Sequence, residues 1–241
     1  MLFIASLLSS VAHRSSGLAT FPLEGTMQMP KLILIDRDGV LNEDVGAPGV
    51  LCPSQLKMTP NAGYAIGRLK RLGCKISMIT NQSCVGKHLI TIEDLHTIHD
   101  RLQEILLAED KDAIIDHIFY CTSLKNSGDM RMKPNPGMIK EAIDLFDMHA
   151  SSCMMIGDAL RDLQAAAAAG VTFRVLVETG YGHDIMKCKS APPDSAEVVK
   201  DVAHYNLEQN CCKGEPSELP FLYAKNLNTT VNWIISKATN E

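Results

Sequence analysis

Asp36-Arg37-Asp38-Gly39-Val40-Leu41-Asn42 follows directly on the apolar run Leu32-Ile33-Leu34-Ile35. Two carboxylates two residues apart, at the end of a buried strand, are unfavourable unless a cation or a proton neutralises them. Mg2+ is the natural neutraliser, a hard ion that takes oxygen ligands. A carboxylate such as Asp36 can also attack phosphorus and carry the phosphoryl group as an acyl phosphate. A second one, Asp38, can protonate the leaving oxygen and later take a proton from water. The plain alternative for this string is a polar turn with two solvated aspartates.

Three further polar clusters stand at comparable places: Thr80-Asn81, Lys133, and Asp158 with Asp162. Each follows an apolar stretch or opens a helix. The Thr80 hydroxyl, the Asn81 side chain and nearby backbone N–H groups can hold phosphoryl oxygens. Lys133 sets a fixed positive charge beside them. Asp158 can join Asp36 as a Mg2+ ligand, and the cation offsets repulsion between an anionic nucleophile and an anionic phosphate. Each residue also has a bland role. Thr80-Asn81 can cap a segment, Lys133 can be a surface lysine, and Asp158 and Asp162 can be first-turn acids at a helix dipole. For the functional reading to fail, all of these must hold together and in this order.

The elements that must position these groups alternate along the chain. After the first strand, residues 43–58 contain Gly46, Pro48, Gly49 and Pro53 and read as a loop or flap. Thr59-Pro60 predicts a helix start, with Ala62, Ala65, Ile66 and Leu69 on its apolar face and Gly73 at its end. Lys75 to Thr80 reads as a second strand. Thr91 to Ala108 reads as an amphipathic helix whose Thr91 and Asp94 have capping-box spacing. Ile114 to Cys121 reads as a third strand, followed by a polar loop from Thr122 to Met130. Asn135-Pro136 opens a helix to about Asp147. Cys153 to Ile156 is a fourth strand, Leu163 to Ala169 a helix stopped by Gly170, and Phe173 to Val177 a fifth strand. Pro192-Pro193 and Cys211 to Pro220 look like loops, and Val231 to Ile235 belongs to a closing helix. This alternation implies right-handed crossovers and an α/β fold, a doubly wound, mainly parallel sheet with helices on both faces. In such a sheet all strand C-termini share one edge, so the four clusters converge on one crevice. The gaps between them leave no room for a large cap domain.

At 241 residues the chain suits one such domain and can bury a full core. Residues 1–29 differ in composition, apolar and Ser-rich with Glu24 as the first acid, and are set apart as a leader or disordered extension. Residues 30–241 form the single folded domain. A net charge of -5 and a pI near 5.9 argue against a general role with nucleic acid or a membrane surface. No apolar run reaches the roughly 18 residues needed to span a bilayer. Eight cysteines without a C-x-x-C pair read as free thiols in a reducing, cytoplasmic compartment. An organelle is the alternative if residues 1–29 are a targeting leader.

The order D-R-D-G-V-L-N, T-N-Q-S, K-P-N-P-G-M, G-D-x-x-x-D resembles the four motifs of the haloacid dehalogenase (HAD) superfamily of phosphatases, from Lys31 to about Gly182. With Asn42 and Thr80-Asn81-Gln82-Ser83 it is similar to the heptose-bisphosphate and histidinol-phosphate phosphatase branch. The resemblance implies a Rossmann-like core, Asp36 as nucleophile and Asp38 as acid/base. It implies Mg2+ on Asp36, Asp158 and the main-chain carbonyl of Asp38, with Asp162 supporting a metal-bound water. Thr80, Asn81 and Lys133 would bind phosphate. Many members of that branch carry a zinc loop with one His and three Cys before the lysine. Here only Cys121 remains, so no structural Zn2+ is expected. Members often have Arg immediately before the lysine; here Met132 stands there and Arg131 is displaced by one. Arg131 and Lys87 are therefore candidates for the non-reacting part of the substrate.

The expected activity is Mg2+-dependent hydrolysis of a small phosphorylated metabolite, with a heptose bisphosphate as the leading substrate and histidinol phosphate as its rival. A polynucleotide 3′-phosphatase shares the T-N-Q motif, but the acidic balance counts against it. A different class is a non-catalytic phospho-ligand binder or receiver-like switch. A receiver places its phosphorylated Asp on a later strand, whereas here the paired acids close the first.

Overall fold

Leu32, Ile33, Leu34 and Ile35 are all fully buried, as a strand covered on both faces must be. They form β1 (Leu32–Ile35) near the middle of a seven-stranded sheet in the computed structural model. The structure describes residues 29–187, 202–207 and 219–238. The expectations for residues 1–28, Pro192-Pro193 and residues 211–218 lie outside these, as do Cys188, Cys211 and Cys212.

Five further elements follow β1 up to the third strand: α1 (Ala62–Arg71), β2 (Lys75–Asn81), the one-turn α2 (Ser83–Gly86), α3 (Ile92–Glu109) and β3 (His117–Cys121). Then come α4 (Gly137–Leu145), β4 (Cys153–Gly157), α5 (Leu160–Ala168), β5 (Phe173–Val177), the short α6 (Gly182–Lys187), β6 (Val202–Leu207), β7 (Leu219–Ala224) and α7 (Leu227–Ala238). The strand order is β3-β2-β1-β4-β5-β7-β6. Every pairing is parallel except the β6–β7 edge pair. Ile35 is in register with Met78 on one side and Ile156 on the other, which brings the ends of β1, β2 and β4 level.

Side chains alternate across the sheet with period two. Ile33 and Ile35 pack with Ile66 and Leu69 of α1, Leu102 and Leu106 of α3, and Val231 and Ile234 of α7. Leu32 and Leu34 pack on the other face with Met138 and Ile139 of α4 and Ala165 and Ala166 of α5. This is the doubly wound arrangement that the alternating pattern implies, and no cap domain interrupts it among the described residues.

Of the boundaries that differ from the sequence reading, four have a clear cause. The first helix begins at Ala62, not at Thr59-Pro60. Thr59 is engaged elsewhere: its hydroxyl donates to the carbonyls of Val40 at 2.7 Å and Leu41 at 3.1 Å, tying the flap to the turn after β1. β3 starts at His117 because Asp116 turns its carboxylate to the N–H of Ile76 at 2.7 Å and to Lys70. α5 starts at Leu160, three residues before Leu163. Asp162 at its third position accepts the Ala159 N–H at 3.0 Å and so allows the earlier turn. The Leu219-Pro220 end of the supposed loop belongs to β7, where Pro220 contributes a carbonyl acceptor to Arg174 at 2.9 Å. A proline in a short run argues against a strand, and here it lies in the strand next to the edge.

Candidate active site

Asp36 is the first residue beyond β1, and its N–H still donates to Ile156 of β4 at 3.0 Å. That bond carries the sheet one residue further and fixes the carboxylate over the ends of β1 and β4. Asp158 is the first residue beyond β4 and Asp162 lies one turn into α5, so both face the same point. One carboxylate oxygen of each of Asp36, Asp158 and Asp162 lies within 4.8 Å of the others, and all three residues are buried.

Lys133 enters this cluster from the loop before α4. Its ammonium is 2.9 Å from Asp36 Oδ1 and 2.7 Å from Asp162 Oδ1, and it donates to the Ile79 carbonyl at 2.7 Å. Its side chain is only 1 % exposed. Burial alone would lower its pKa, but the charges of Asp162 and Asp36 outweigh this and hold it above the usual lysine value. One cation in direct contact, with Arg161 further off, then faces three acids, and the acids respond. Burial, then Asp162, push Asp36 up to about 6. Burial, then Asp36 and Asp162, push Asp158 up to about 8. Asp158 Oδ2 accepts the Tyr181 N–H at 3.0 Å, but its buried Oδ1 has no partner among the described residues. An acid cluster under-supplied with positive charge, with one orphaned oxygen, fits a hard cation.

Backbone shape keeps room for it. Gly39 and Gly180 both have positive φ, +81° and +59°, and a Cβ on either would strike the Asp158 carboxylate. Thr179 Oγ1 donates to the Gly39 carbonyl at 2.5 Å, closing the turn after β5 onto the turn after β1.

Asp38, two residues beyond Asp36, is in a different setting. Its carboxylate pairs with the fully buried Arg37 guanidinium at 2.8 Å. It also accepts from Asn42 Nδ2 at 2.9 Å and Gln82 Nε2 at 3.0 Å. Burial would raise its pKa, yet Arg37, Asn42 and Gln82 together hold it below the usual carboxylate range. Behind Arg37 lies His99 of α3, with Arg37 Nη1 3.3 Å from His99 Nε2. Burial and the Arg37 charge push the imidazole down to about 3, so it is neutral and its Nε2 accepts a hydrogen bond from the Arg37 guanidinium. Gln82 Nε2 also donates to Thr80 Oγ1 at 2.8 Å, which joins the Asp38 side of the crevice to the end of β2.

The structure thus brings Asp36, Thr80, Lys133 and Asp158 to one sheet edge, with Asp162, and sets Asp38 beside them on its own polar wall. Asn81 is there too, but both ends of its amide are engaged. Nδ2 donates to the Lys133 carbonyl at 3.0 Å and Oδ1 accepts the Lys133 N–H at 3.1 Å. It fixes the loop that delivers Lys133. Arg131 is half-exposed and pairs with Glu141 of α4 at 3.0 Å, outside the carboxylate cluster. The loop from Thr122 to Met132 closes on Asp129. That carboxylate accepts from Ser123 Oγ at 2.5 Å, Cys121 Sγ at 3.4 Å and the Arg131 N–H at 2.7 Å.

The sequence reading gave no role to Arg37, Asn42, Gln82, His99, Arg161 or Tyr181. Two signals were present. An arginine between two aspartates at a strand end has a partner beside it, and His99 falls on the apolar stripe of Leu95, Ile98 and Leu102.

A parallel α/β sheet with buried acids, a buried lysine and a hydroxyl at its C-terminal edge makes a Rossmann-like protein suited to phosphoryl chemistry. A family model described as HAD-hydrolase-like matches residues 130–205. The chain is 35 % identical over 173 residues to the D-glycero-beta-D-manno-heptose-1,7-bisphosphate 7-phosphatase of Bordetella bronchiseptica, covering 72 % of this chain and 94 % of that one. It is 31 % identical over 188 residues to the enzyme of that name from Neisseria meningitidis, covering 75 % and 96 %. The crystal structure of the D,D-heptose 1,7-bisphosphate phosphatase of B. bronchiseptica, complexed with magnesium and phosphate, superposes with a TM-score of 0.68 at 28 % identity. The match covers 86 % of this chain and 99 % of that one. The chain belongs to the HAD superfamily of phosphatases, in the branch that holds the heptose-bisphosphate phosphatases, and it is a phosphomonoesterase.

Proposed function

We propose that this protein removes one phosphate from a small sugar bisphosphate, D-glycero-D-manno-heptose 1,7-bisphosphate, through an aspartyl-phosphate on Asp36. The single observation that carries this reading is the buried cluster of Asp36, Asp158 and Asp162 with Lys133 at the end of β1. It unites a nucleophile, a fixed cation and an orphaned oxygen. The names of the Bordetella and Neisseria relatives supply the substrate.

Asp36 Oδ1 is held by Lys133 and by the Arg37 N–H at 2.7 Å, which leaves Oδ2 to attack phosphorus. The P–O bond to the sugar breaks as the new P–O bond forms, and Asp38 delivers a proton to the departing sugar oxygen. Asp38 rests as a carboxylate. The approaching phosphate dianion raises its proton affinity, so it takes up a proton from solvent, and that is the proton it gives to the sugar oxygen. In the second half Asp38 takes a proton from a water that attacks the aspartyl-phosphate, which releases inorganic phosphate and restores Asp36. Thr80 and Lys133 hold the phosphoryl oxygens, and Asn81 keeps Lys133 in place. Mg2+ would be held by Asp36, Asp158 and the Asp38 main-chain carbonyl, with Asp162 behind. There it would neutralise the acids and the transferring phosphoryl group.

The domain that does this spans residues 30–241, and its partner is the sugar phosphate, not nucleic acid or a membrane. No described helix is long and apolar enough to cross a membrane. We place the enzyme in the cytoplasm, where such metabolites are handled. The test is phosphate release from heptose 1,7-bisphosphate, histidinol phosphate and a set of sugar phosphates, with Mg2+ or with EDTA. Release from the bisphosphate that EDTA abolishes and Asp36→Asn lacks is the expected result. Binding without release would point to a phospho-ligand sensor, and preference for histidinol phosphate would replace the substrate.

A further inference from the structure

Arg161 stands in the first turn of α5, between Ala159 and Asp162, and the chemistry described above leaves it without a task. It is half-buried. The carboxylates of Asp162, Asp36 and Asp158 hold it charged against the cost of burial. Its guanidinium carbon lies 5.4 Å from the centroid of the Tyr181 ring, a cation–π distance. Tyr181 in turn gives its N–H to Asp158 Oδ2, so the pair sits on the Asp158 side of the cluster.

Three other cations near the crevice are already engaged. Arg37 is bound to Asp38 and His99. Lys133 makes three contacts, to Asp36, Asp162 and Ile79. Arg131, which the sequence offered for the non-reacting part of the substrate, is paired with Glu141. Arg161 differs from all three: no hydrogen bond joins its guanidinium to another described residue. A stacked guanidinium presents a flat fork of N–H donors whose geometry suits a phosphate or carboxylate. The Tyr181 ring limits its rotamers in advance, which lowers the entropy lost when an anion binds.

We propose that Arg161, held by Tyr181, is the specificity residue for a second anionic group of the substrate, the phosphate that is not transferred. This rests on the function proposed above and deepens it, since a fixed fork beside the reaction centre selects a bisphosphate over a monophosphate. A charge-assisted pair of this kind is worth about tenfold to a hundredfold in discrimination.

The test compares kcat/KM for heptose 1,7-bisphosphate with that for heptose 7-phosphate, in the wild type, Arg161→Ala and Arg161→Lys. The same two ligands are titrated calorimetrically into the Asp36→Asn protein with and without the Arg161 change. The expected result is a ratio in favour of the bisphosphate that falls about tenfold or more in Arg161→Ala, carried by KM. Arg161→Lys, which keeps the charge and loses the fork, falls between and remains measurable should the alanine variant fold poorly. An equal loss for both substrates would place Arg161 on the transferring phosphate or on the acid cluster and overturn the proposal. An unchanged ratio overturns it as well. If the wild type releases no phosphate from either compound, the catalytic reading fails by itself. The binding ratio in Asp36→Asn then decides the subsite.

Discussion

Asp36 and Asp38 are two residues apart, yet the acid floor around the first and the polar wall around the second are built on opposite principles. On the floor, Asp36, Asp158 and Asp162 share one lysine, two of them have raised pKa values, and an Asp158 oxygen has no partner. On the wall, Asp38 has an arginine and two amides, its pKa is lowered, and Arg37 has His99 behind it. The floor lacks positive charge and is completed by something that binds. On the wall the Asp38 carboxylate already has its counter-charge and its hydrogen-bond donors before anything binds. A site assembled this way puts the cost of burying charge where a ligand offsets it, and holds the proton-transfer group still.

The largest effect should come from removing the attacking oxygen. Asp36→Asn keeps the shape and hydrogen bonding of the side chain but not its nucleophilicity. Turnover should fall by roughly 10³-fold or more, measured by phosphate release, while binding of the bisphosphate survives. Residual activity near the wild-type level would mean that the floor is structural and that the chemistry lies elsewhere.

Breaking each region's cation separates the two principles. Lys133→Met leaves three buried acids with only the more distant Arg161 as counter-charge, and Arg37→Met leaves Asp38 without its charged partner. Either change should cost about 3–5 kcal/mol in chemical denaturation. Mg2+ should restore much of the stability lost by Lys133→Met, because a bound cation supplies the missing charge on the floor. It should do little for Arg37→Met, whose defect lies in the wall. Equal rescue of both would erase the distinction.

The pH dependence of the metal-free protein should follow the floor. Asp36 and Asp158 have folded pKa values of about 6 and about 8, both above the ordinary value of 3.8. Between these limits the folded state binds more protons than the unfolded one. Stability without Mg2+ should therefore fall as pH rises from about 4 to about 8. Added Mg2+ should stabilise more strongly at the upper end, where the acids are free of protons. A flat profile in EDTA between these values would contradict the picture of an under-neutralised floor.

Much of this contrast was legible in the sequence, and the floor more than the wall. Asp36, Asp158 and Lys133 each stand where an apolar stretch stops or a helix begins, and strand-end convergence follows from the alternation of elements. The wall depends on contacts between distant segments. Gln82 and Asn42 meet at Asp38, and His99 reaches Arg37 from the middle of α3 across 62 positions. No local pattern encodes such a meeting. Asn81 shows a related gap: its side chain bonds the Lys133 backbone, a contact no local pattern announces. The β6–β7 edge was missed because a short strand containing Pro220 carries no clean alternation. The start of α1 was misplaced because the Thr59 hydroxyl bonds across the chain to Val40 and Leu41, and does not cap the helix that follows.

The smallest effect should come from the link between the wall and the end of β2. Gln82 Nε2 donates both to Asp38 Oδ2 at 3.0 Å and to Thr80 Oγ1 at 2.8 Å. Gln82→Leu removes both bonds but leaves Arg37 and Asn42 on Asp38. One neutral amide contributes about 1 kcal/mol, so kcat should fall only about fivefold and stability should change by a similar amount. The pH profile is the sharper readout. Gln82 favours the ionised form of Asp38, so its loss raises the Asp38 pKa, and the limb of the kcat/KM profile that reports this group should move to higher pH. The direction separates two roles for the amide. If Gln82 acts only by placing Thr80 for the phosphate, Gln82→Leu raises KM and the limb stays where it was. If it acts through Asp38, the limb moves and KM holds.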